Sequence, residues 1–211
     1  MKLYLVRHAK SKRNAGIPSK VDAELTEDGL EQARRLGSYF HDVKLKKVYC
    51  STMLRAITTL DAIKPYIENI PITFTKNIVE HDMGIYAEKG RDDWKSYAED
   101  AKKLGKEFVD FKPKGGDSLK ETYQRARKFY KYLLKNHMGK TILVVGHGLF
   151  LLQLILNILS LDSSEGRLYQ LSNASVSTFN IGRNGKIKNF HVNDYNHLIR
   201  EGIKIKKESE N

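Results

Sequence analysis

After its opening threonine, the run Thr141-Ile142-Leu143-Val144-Val145 is apolar at every position. A strand with no polar alternation has no face to give to water. It belongs in the middle of a sheet covered on both sides, which is the situation of strands in parallel α/β sheets. Three other short segments, Leu3–Val6, Val48–Cys50 and Ile72–Phe74, read as companion strands separated by helix-length patterns. The expected fold class is α/β: a three-layer sandwich with a mostly parallel central sheet, helices on both faces, and a small helical cap or insertion.

The helices read as follows. Thr26 is a plausible N-cap, Glu27 and Asp28 suit the positive first turn, and Leu30, Ala33, Leu36, Gly37 and Phe40 keep helical spacing. That face should pack on the sheet and leave Glu31, Arg34 and Arg35 in water. Ser51-Thr52 suits the cap of a helix over 53–63, ending before Pro65. Residues 91–112 are charged and helix-like, with Trp94 and Tyr97 offering an apolar side, and 91–114 form the expected cap. Asp117 is placed to cap a helix reaching about His137, with Leu119, Tyr123, Ala126, Tyr130 and Leu133/Leu134 as its buried stripe. Near the end, 175–181 and 186–191 flank Gly182-Arg183-Asn184-Gly185, a hairpin signal. One domain over 1–198 and a flexible tail over 199–211 are expected.

The formal net charge is +12, and the residues after Leu198 are nearly balanced, so the excess belongs to the body of the chain. It suggests an anionic partner. Cys50 is the single cysteine, which excludes an intrachain disulfide and a thiolate metal cluster. The longest apolar run, 149–161, is broken by Gln153 and Asn157 and is shorter than the roughly 20 residues of a membrane span. Arg7 arrives too early for a secretory signal. A cytoplasmic protein without a membrane partner is expected.

Chemistry in an open α/β sheet gathers where strands end at their carboxyl edge. Arg7-His8 follows the first strand, Arg55 opens the helix after the second, Glu80 follows the third, and His147 lies between two glycines after the fourth. Two arginines can grip a phosphoryl group bidentately and match the charge of an in-line transition state. An imidazole can take that group covalently, and a carboxylic acid can protonate the departing alkoxide and then activate water. Glu80-His81-Asp82 does not make a metal site, because adjacent residues of an extended chain point apart. No metal and no cofactor are expected. The other imidazole can donate hydrogen bonds to the phosphoryl group, and nearby cations lower an imidazole's pKa and keep it neutral.

At these residues the chain resembles the histidine phosphatase superfamily, in its phosphoglycerate-mutase-like branch. The matching pieces are Leu5-Val6-Arg7-His8-Ala9 with Ser11 and Asn14, Leu25-Thr26 with Gly29 and Gln32-Ala33, and Ser51 with Arg55-Ala56 and Thr59. To these are added Glu80 with Gly84, Gly116-Asp117-Ser118, and Val144 with Gly146-His147-Gly148. The resemblance implies His8 as the phosphorylated nucleophile, Arg7, Arg55 and His147 as holders of the phosphoryl group, and Glu80 as proton donor. It also implies Asn14 as a pocket ligand, with backbone N–H groups near Gly148 and Leu149 assisting. The family usually has Gly at Ala9 and Glu or Gln at Lys10. Lys10 either adds a cation for a second negative group on the substrate or points into solvent.

The resulting expectation is a metal-independent phosphatase hydrolysing a phosphorylated small molecule through phosphohistidine. The alternative is a phosphoglycerate mutase using the same site. Between Asn14 and Leu25 the chain lacks the mutases' aromatic-glycine-tryptophan stretch, which favours the phosphatase. A third reading, motivated by the charge, is a non-catalytic binder of nucleic acid or another polyanion. No basic stretch interleaved with aromatics supports it, and the oligomeric state is open.

Overall fold

The computed structural model describes residues 1–17, 19–67, 69–87 and 93–199. Six strands, β1 (Lys2–Arg7), β2 (Lys47–Ser51), β3 (Ile72–Thr75), β4 (Thr141–Gly146), β5 (Val176–Ile181) and β6 (Ile187–Asp194), form one sheet ordered β3-β2-β4-β1-β5-β6. The all-apolar strand β4 is interior, as its sequence predicts: it pairs in parallel with β1 on one side and β2 on the other. β3 extends the parallel part beside β2, and the β5–β6 hairpin adds antiparallel along β1.

Alternation along the strands divides the core between two helical layers. Tyr4, Val6, Leu143 and Val145 point to α1 (Glu27–Phe40) and α2 (Leu54–Ile63), where they meet Ala33, Leu36, Phe40, Ala56 and Leu60. Leu3, Leu5, Ile142 and Val144 point the other way, to Ala126, Phe129, Phe150 and Leu154. Those residues come from α4 (Leu119–His137) and α5 (Gly148–Leu159). Each fully buried aliphatic side chain contributes about 1.5–3 kcal/mol, so both faces of the sheet are strongly specified. Cys50 is a core residue, and burial pushes its thiol up to about 12.

Several local expectations are corrected. Leu30 is half-exposed, while Gly29 takes its place on the buried face of α1, and Glu31 and Arg35 are partly buried as an ion pair. The cap of α2 does not come from a Ser51 or Thr52 side chain on the helix; Asp22 Oδ1 accepts from Leu54 N–H at 2.8 Å. Ser118, not Asp117, caps α4, in a capping box with Glu121. The buried stripe of α4 is Leu119, Thr122, Ala126, Phe129, Leu133 and His137, with Tyr123 and Tyr130 half-buried beside it.

Within the expected cap, residues 91 and 92 lie outside the described residues, and helix is confined to α3 (Trp94–Lys103). The rest of the segment folds back so that Phe108 and Phe111 join Met83, Ala87, Tyr97 and Ala101 in a third apolar cluster. Of the expected tail, only Ile199, at the end of α6 (Asn196–Ile199), is described; 200–211 lie outside.

Candidate active site

β1, β2 and β4 are neighbours and parallel, so their carboxyl ends open at one edge of the sheet. That adjacency brings Arg7-His8, Ser51 with the start of α2, and His147 together, although they are far apart in sequence.

His8 is buried, and its contacts define its tautomer. Nδ1 lies 2.7 Å from the Ala9 carbonyl, which can only accept, so Nδ1 carries the proton. Nε2 therefore presents its lone pair, to which Arg55 Nε–H donates at 3.1 Å. Burial above all, then the guanidinium groups of Arg55 and Arg7, hold its pKa well below the ordinary histidine value. His8 is a neutral imidazole with its outer nitrogen facing a cation.

His147, fully buried, sits 5.1 Å from His8 between ring centroids. Its Nε2 meets Ser51 Oγ at 2.7 Å, and its Nδ1 has no hydrogen-bond partner. Burial first, then Arg55, keep this ring neutral too. Arg7 donates from Nη1 to the Leu171 carbonyl, and Arg55 from Nη1 to the Val21 carbonyl at 2.9 Å, with Asp22 Oδ1 at 3.8 Å. Both guanidinium groups are buried, so their orientation is fixed before any ligand arrives.

Glu80 lies at the N-terminus of α5. Its Oε1 accepts from His81, Leu149 and Phe150 N–H at 3.0, 3.1 and 3.0 Å, and its Oε2 has only a longer contact to Leu149 N–H, at 3.3 Å. The Leu149 and Phe150 N–H groups are orphan donors of a helix start, where an anion is favoured. The Leu149 N–H expected to face a phosphoryl group is thus directed at Glu80. Gly148 serves another purpose: a Cβ there would come within 3.2 Å of Arg7 Nε.

Asn14 presents one end only. Its Oδ1 accepts from Ser11 N–H, Ser11 Oγ and Asn173 Nδ2 at 3.2, 2.8 and 3.1 Å, which leaves the NH2 as its donor to the cavity. Lys10 is not among the residues lining the cavity. Its ammonium pairs with Asp28 of α1 at 3.3 Å, so the substrate-contact reading of Lys10 is not supported and the solvent-side one is. Arg7, His8, Asn14, Arg55, Glu80, Gly148 and Leu149 all line one cavity of about 780 Å³. His147 is not among the lining residues; its ring stands beside that of His8 at 5.1 Å between centroids. Among the described residues, no group of three metal-ligating side chains forms.

The profile of the histidine phosphatase superfamily, branch 1, matches residues 3–194. This chain belongs to the histidine phosphatase superfamily. Phosphoserine phosphatase 1 of Hydrogenobacter thermophilus is 28% identical over 192 residues, covering 86% of this chain and 87% of that protein. A 2,3-bisphosphoglycerate-dependent phosphoglycerate mutase of Bradyrhizobium diazoefficiens is 34% identical, covering 79% and 84%. Among solved structures, Bacillus stearothermophilus YhfR superposes with a TM-score of 0.79 at 26% identity, covering 93% of this chain and 98% of that one. An Entamoeba histolytica phosphoserine phosphatase, at 23% identity with coverages of 94% and 99%, shares the fold with a TM-score of 0.73.

Seen as a histidine phosphatase, the chain has motif residues that the strand-end argument left without work. Thr59 Oγ1 accepts from Ala9 N–H at 3.0 Å and Gln32 Oε1 from Lys10 N–H at 2.9 Å, so α2 and α1 both grip the loop after His8. Ser51, read from sequence as a helix cap, is the partner of His147. Asn173 Nδ2 donates to the His8 carbonyl at 3.0 Å and also holds Asn14. Nothing local in Ser172-Asn173-Ala174 announces that role; the contact joins residues 165 positions apart.

Proposed function

We propose that this histidine phosphatase superfamily chain hydrolyses a phosphomonoester through a phosphohistidine on His8, its positive charge supplied by Arg7 and Arg55 and not by a metal. The observation that carries this is the His8 tautomer. An Nδ1–H committed to the Ala9 carbonyl leaves Nε2 as a lone pair beside a guanidinium, the arrangement an incoming phosphoryl group needs.

In the first step His8 Nε2 forms a bond to phosphorus as the bond to the leaving oxygen breaks. Arg7, Arg55 and the Asn14 NH2 take up the charge on the equatorial oxygens, and the unpartnered Nδ1 of His147 is a further site for one of them. Glu80 gives the leaving oxygen a proton. Of its two oxygens, Oε2 has the open lone pair and is the one that carries it. In the second step Glu80 takes a proton from water, the water oxygen bonds to phosphorus, and the P–N bond breaks to return His8 and inorganic phosphate. Relatives with the names phosphoserine phosphatase and phosphoglycerate mutase both fit such an intermediate. In the mutase reading the phosphoryl group returns to a phosphoglycerate instead of water. We take 1–198 as one catalytic domain with 91–114 as its cap, and a phosphorylated small molecule as its substrate.

Hydrolysis of a phosphomonoester panel in EDTA tests the reading. The wild type is expected to retain its rate, and His8→Ala to lose at least about 1,000-fold in kcat. Full turnover by His8→Ala would refute the covalent route. Faster interconversion of 2- and 3-phosphoglycerate than hydrolysis would favour the mutase.

A further inference from the structure

We propose that the leaving group of the substrate is an uncharged, bulky aromatic alcohol and not a small carboxylated one; this rests on the phosphohistidine reading above. Glu80 marks the side on which the leaving oxygen departs, and the wall continuing from it is aromatic. His81, the next residue, is buried, with Nδ1 2.9 Å from Thr122 Oγ1 and its ring stacked on Trp94 at 6.0 Å and 15°. Trp94 packs in turn on Phe108 at 5.9 Å, and Met83 of the same apolar cluster also lines the cavity. A ring lying against this wall exchanges water for apolar contact with the side chains of the cap.

Charge argues the same way. Although the chain carries a net +12, no lysine lines the cavity among the described residues. Among the described residues its formal charges are Arg7, Arg13 and Arg55 against Glu80, Asp82 and Asp117. Arg7 and Arg55 stand at His8 and serve the phosphoryl dianion. Arg13 donates from Nη2 to the Ala87 carbonyl at 3.2 Å. Arg125 pairs with Asp117 at 3.8 Å, so among the described residues a carboxylate on the leaving group would meet Arg13 and Asp82, with no net positive charge left for it. Cavities of roughly 300–1,000 Å³ accept drug-sized ligands, and the volume of about 780 Å³ far exceeds what a phosphorylated three-carbon acid fills.

The test compares kcat/KM for 2-naphthylmethyl phosphate, benzyl phosphate, phosphoserine and 3-phosphoglycerate, all of which release alkoxide-type leaving groups. The naphthylmethyl ester is expected to exceed phosphoserine by at least about tenfold, a ratio that one well-buried aromatic face supplies. Trp94→Ala should lower that ratio about tenfold, mainly through KM, and Trp94→Phe should restore most of it. A kcat/KM for phosphoserine or 3-phosphoglycerate equal to or above that of the naphthylmethyl ester overturns the proposal while leaving the phosphatase reading intact. A ratio unmoved in a folded Trp94→Ala protein overturns it as well. Absence of hydrolysis of every ester overturns the phosphatase reading and this inference with it.

Discussion

At the scale of single residues, the site works by committing particular polar atoms to partners in the protein and leaving others to the substrate. His8 spends its Nδ1–H on Ala9 and His147 spends Nε2 on Ser51, so chemistry falls to the His8 Nε2 lone pair, which faces Arg55, and to His147 Nδ1. Ser51→Ala removes the hydroxyl that orients His147 and leaves a second buried ring nitrogen unsatisfied. An unsatisfied buried polar group costs about 1–3 kcal/mol. We expect Ser51→Ala to fold, to lose about tenfold or more in kcat, and to change KM little; steady-state kinetics on a phosphomonoester read this directly. An unchanged kcat would mean that His147 is held by packing alone.

Among the elements, the loop after β1 is the part that must not move, and two helices hold it. α2 reaches it through Thr59 and Arg55, α1 through Gln32, and the first turn of α1 presses on its backbone. Gly29 makes that pressure possible: a Cβ there would lie 2.0 Å from the Lys10 carbonyl oxygen. Backbone cannot yield as a flexible side chain can, so Gly29→Ala must separate α1 from the loop. It should cost about 2 kcal/mol or more of stability, in the range of overpacked cores, and weaken activity although Gly29 touches no substrate. Denaturant unfolding and kcat/KM measured on the same preparation would check both. A comparable crossing occurs where Gly84 meets the Lys114 carbonyl, with its Cβ position 2.2 Å away and φ at +52°. It ties the segment carrying Glu80 to the one leading into α4, where Asp117 N–H donates to the Asp82 carbonyl at 2.8 Å.

For the whole molecule, burying neutral histidines links the fold to pH. His8, His147 and His81 all have lowered pKa values, each chiefly through burial. Above about pH 6.5 folded and unfolded chains are both neutral at these groups, and no linkage arises. As pH falls below that value the unfolded chain takes up protons that the folded chain refuses. Stability then drops, by up to about 1.4 kcal/mol per pH unit for each such histidine. Unfolding free energy measured between pH 7.5 and 5 should stay level down to about pH 6.5 and fall below it, and His8→Asn should flatten the falling part. The same shift keeps the nucleophile active: an acid limb in kcat/KM from His8 should lie well below pH 6.5. No helix among the described residues is long and apolar enough to cross a membrane.

The linear chain was explicit about its strands and about most of the chemistry. β4 read as interior because it offers water no polar face, and a charged or imidazole residue after each of four strands pointed to one edge. Its helices were legible to within a turn, but not which residue faced inward: Leu30 and Gly29 exchange places because α1 leans on the Lys10 carbonyl, a contact periodicity does not encode. The resemblance to the superfamily gave His8, Arg7, Arg55, His147 and Glu80, and the fold gathers them. What only the tertiary structure decided is which partner each polar atom takes. Ser51 and Asn173 orient the site from remote stretches of sequence, Glu80 takes the helix N–H groups expected to face phosphate, and Lys10 turns to Asp28. Side-chain type and local period are properties of the sequence, whereas a hydrogen-bond partner is a property of distance, and distance is fixed only when the strands are set side by side.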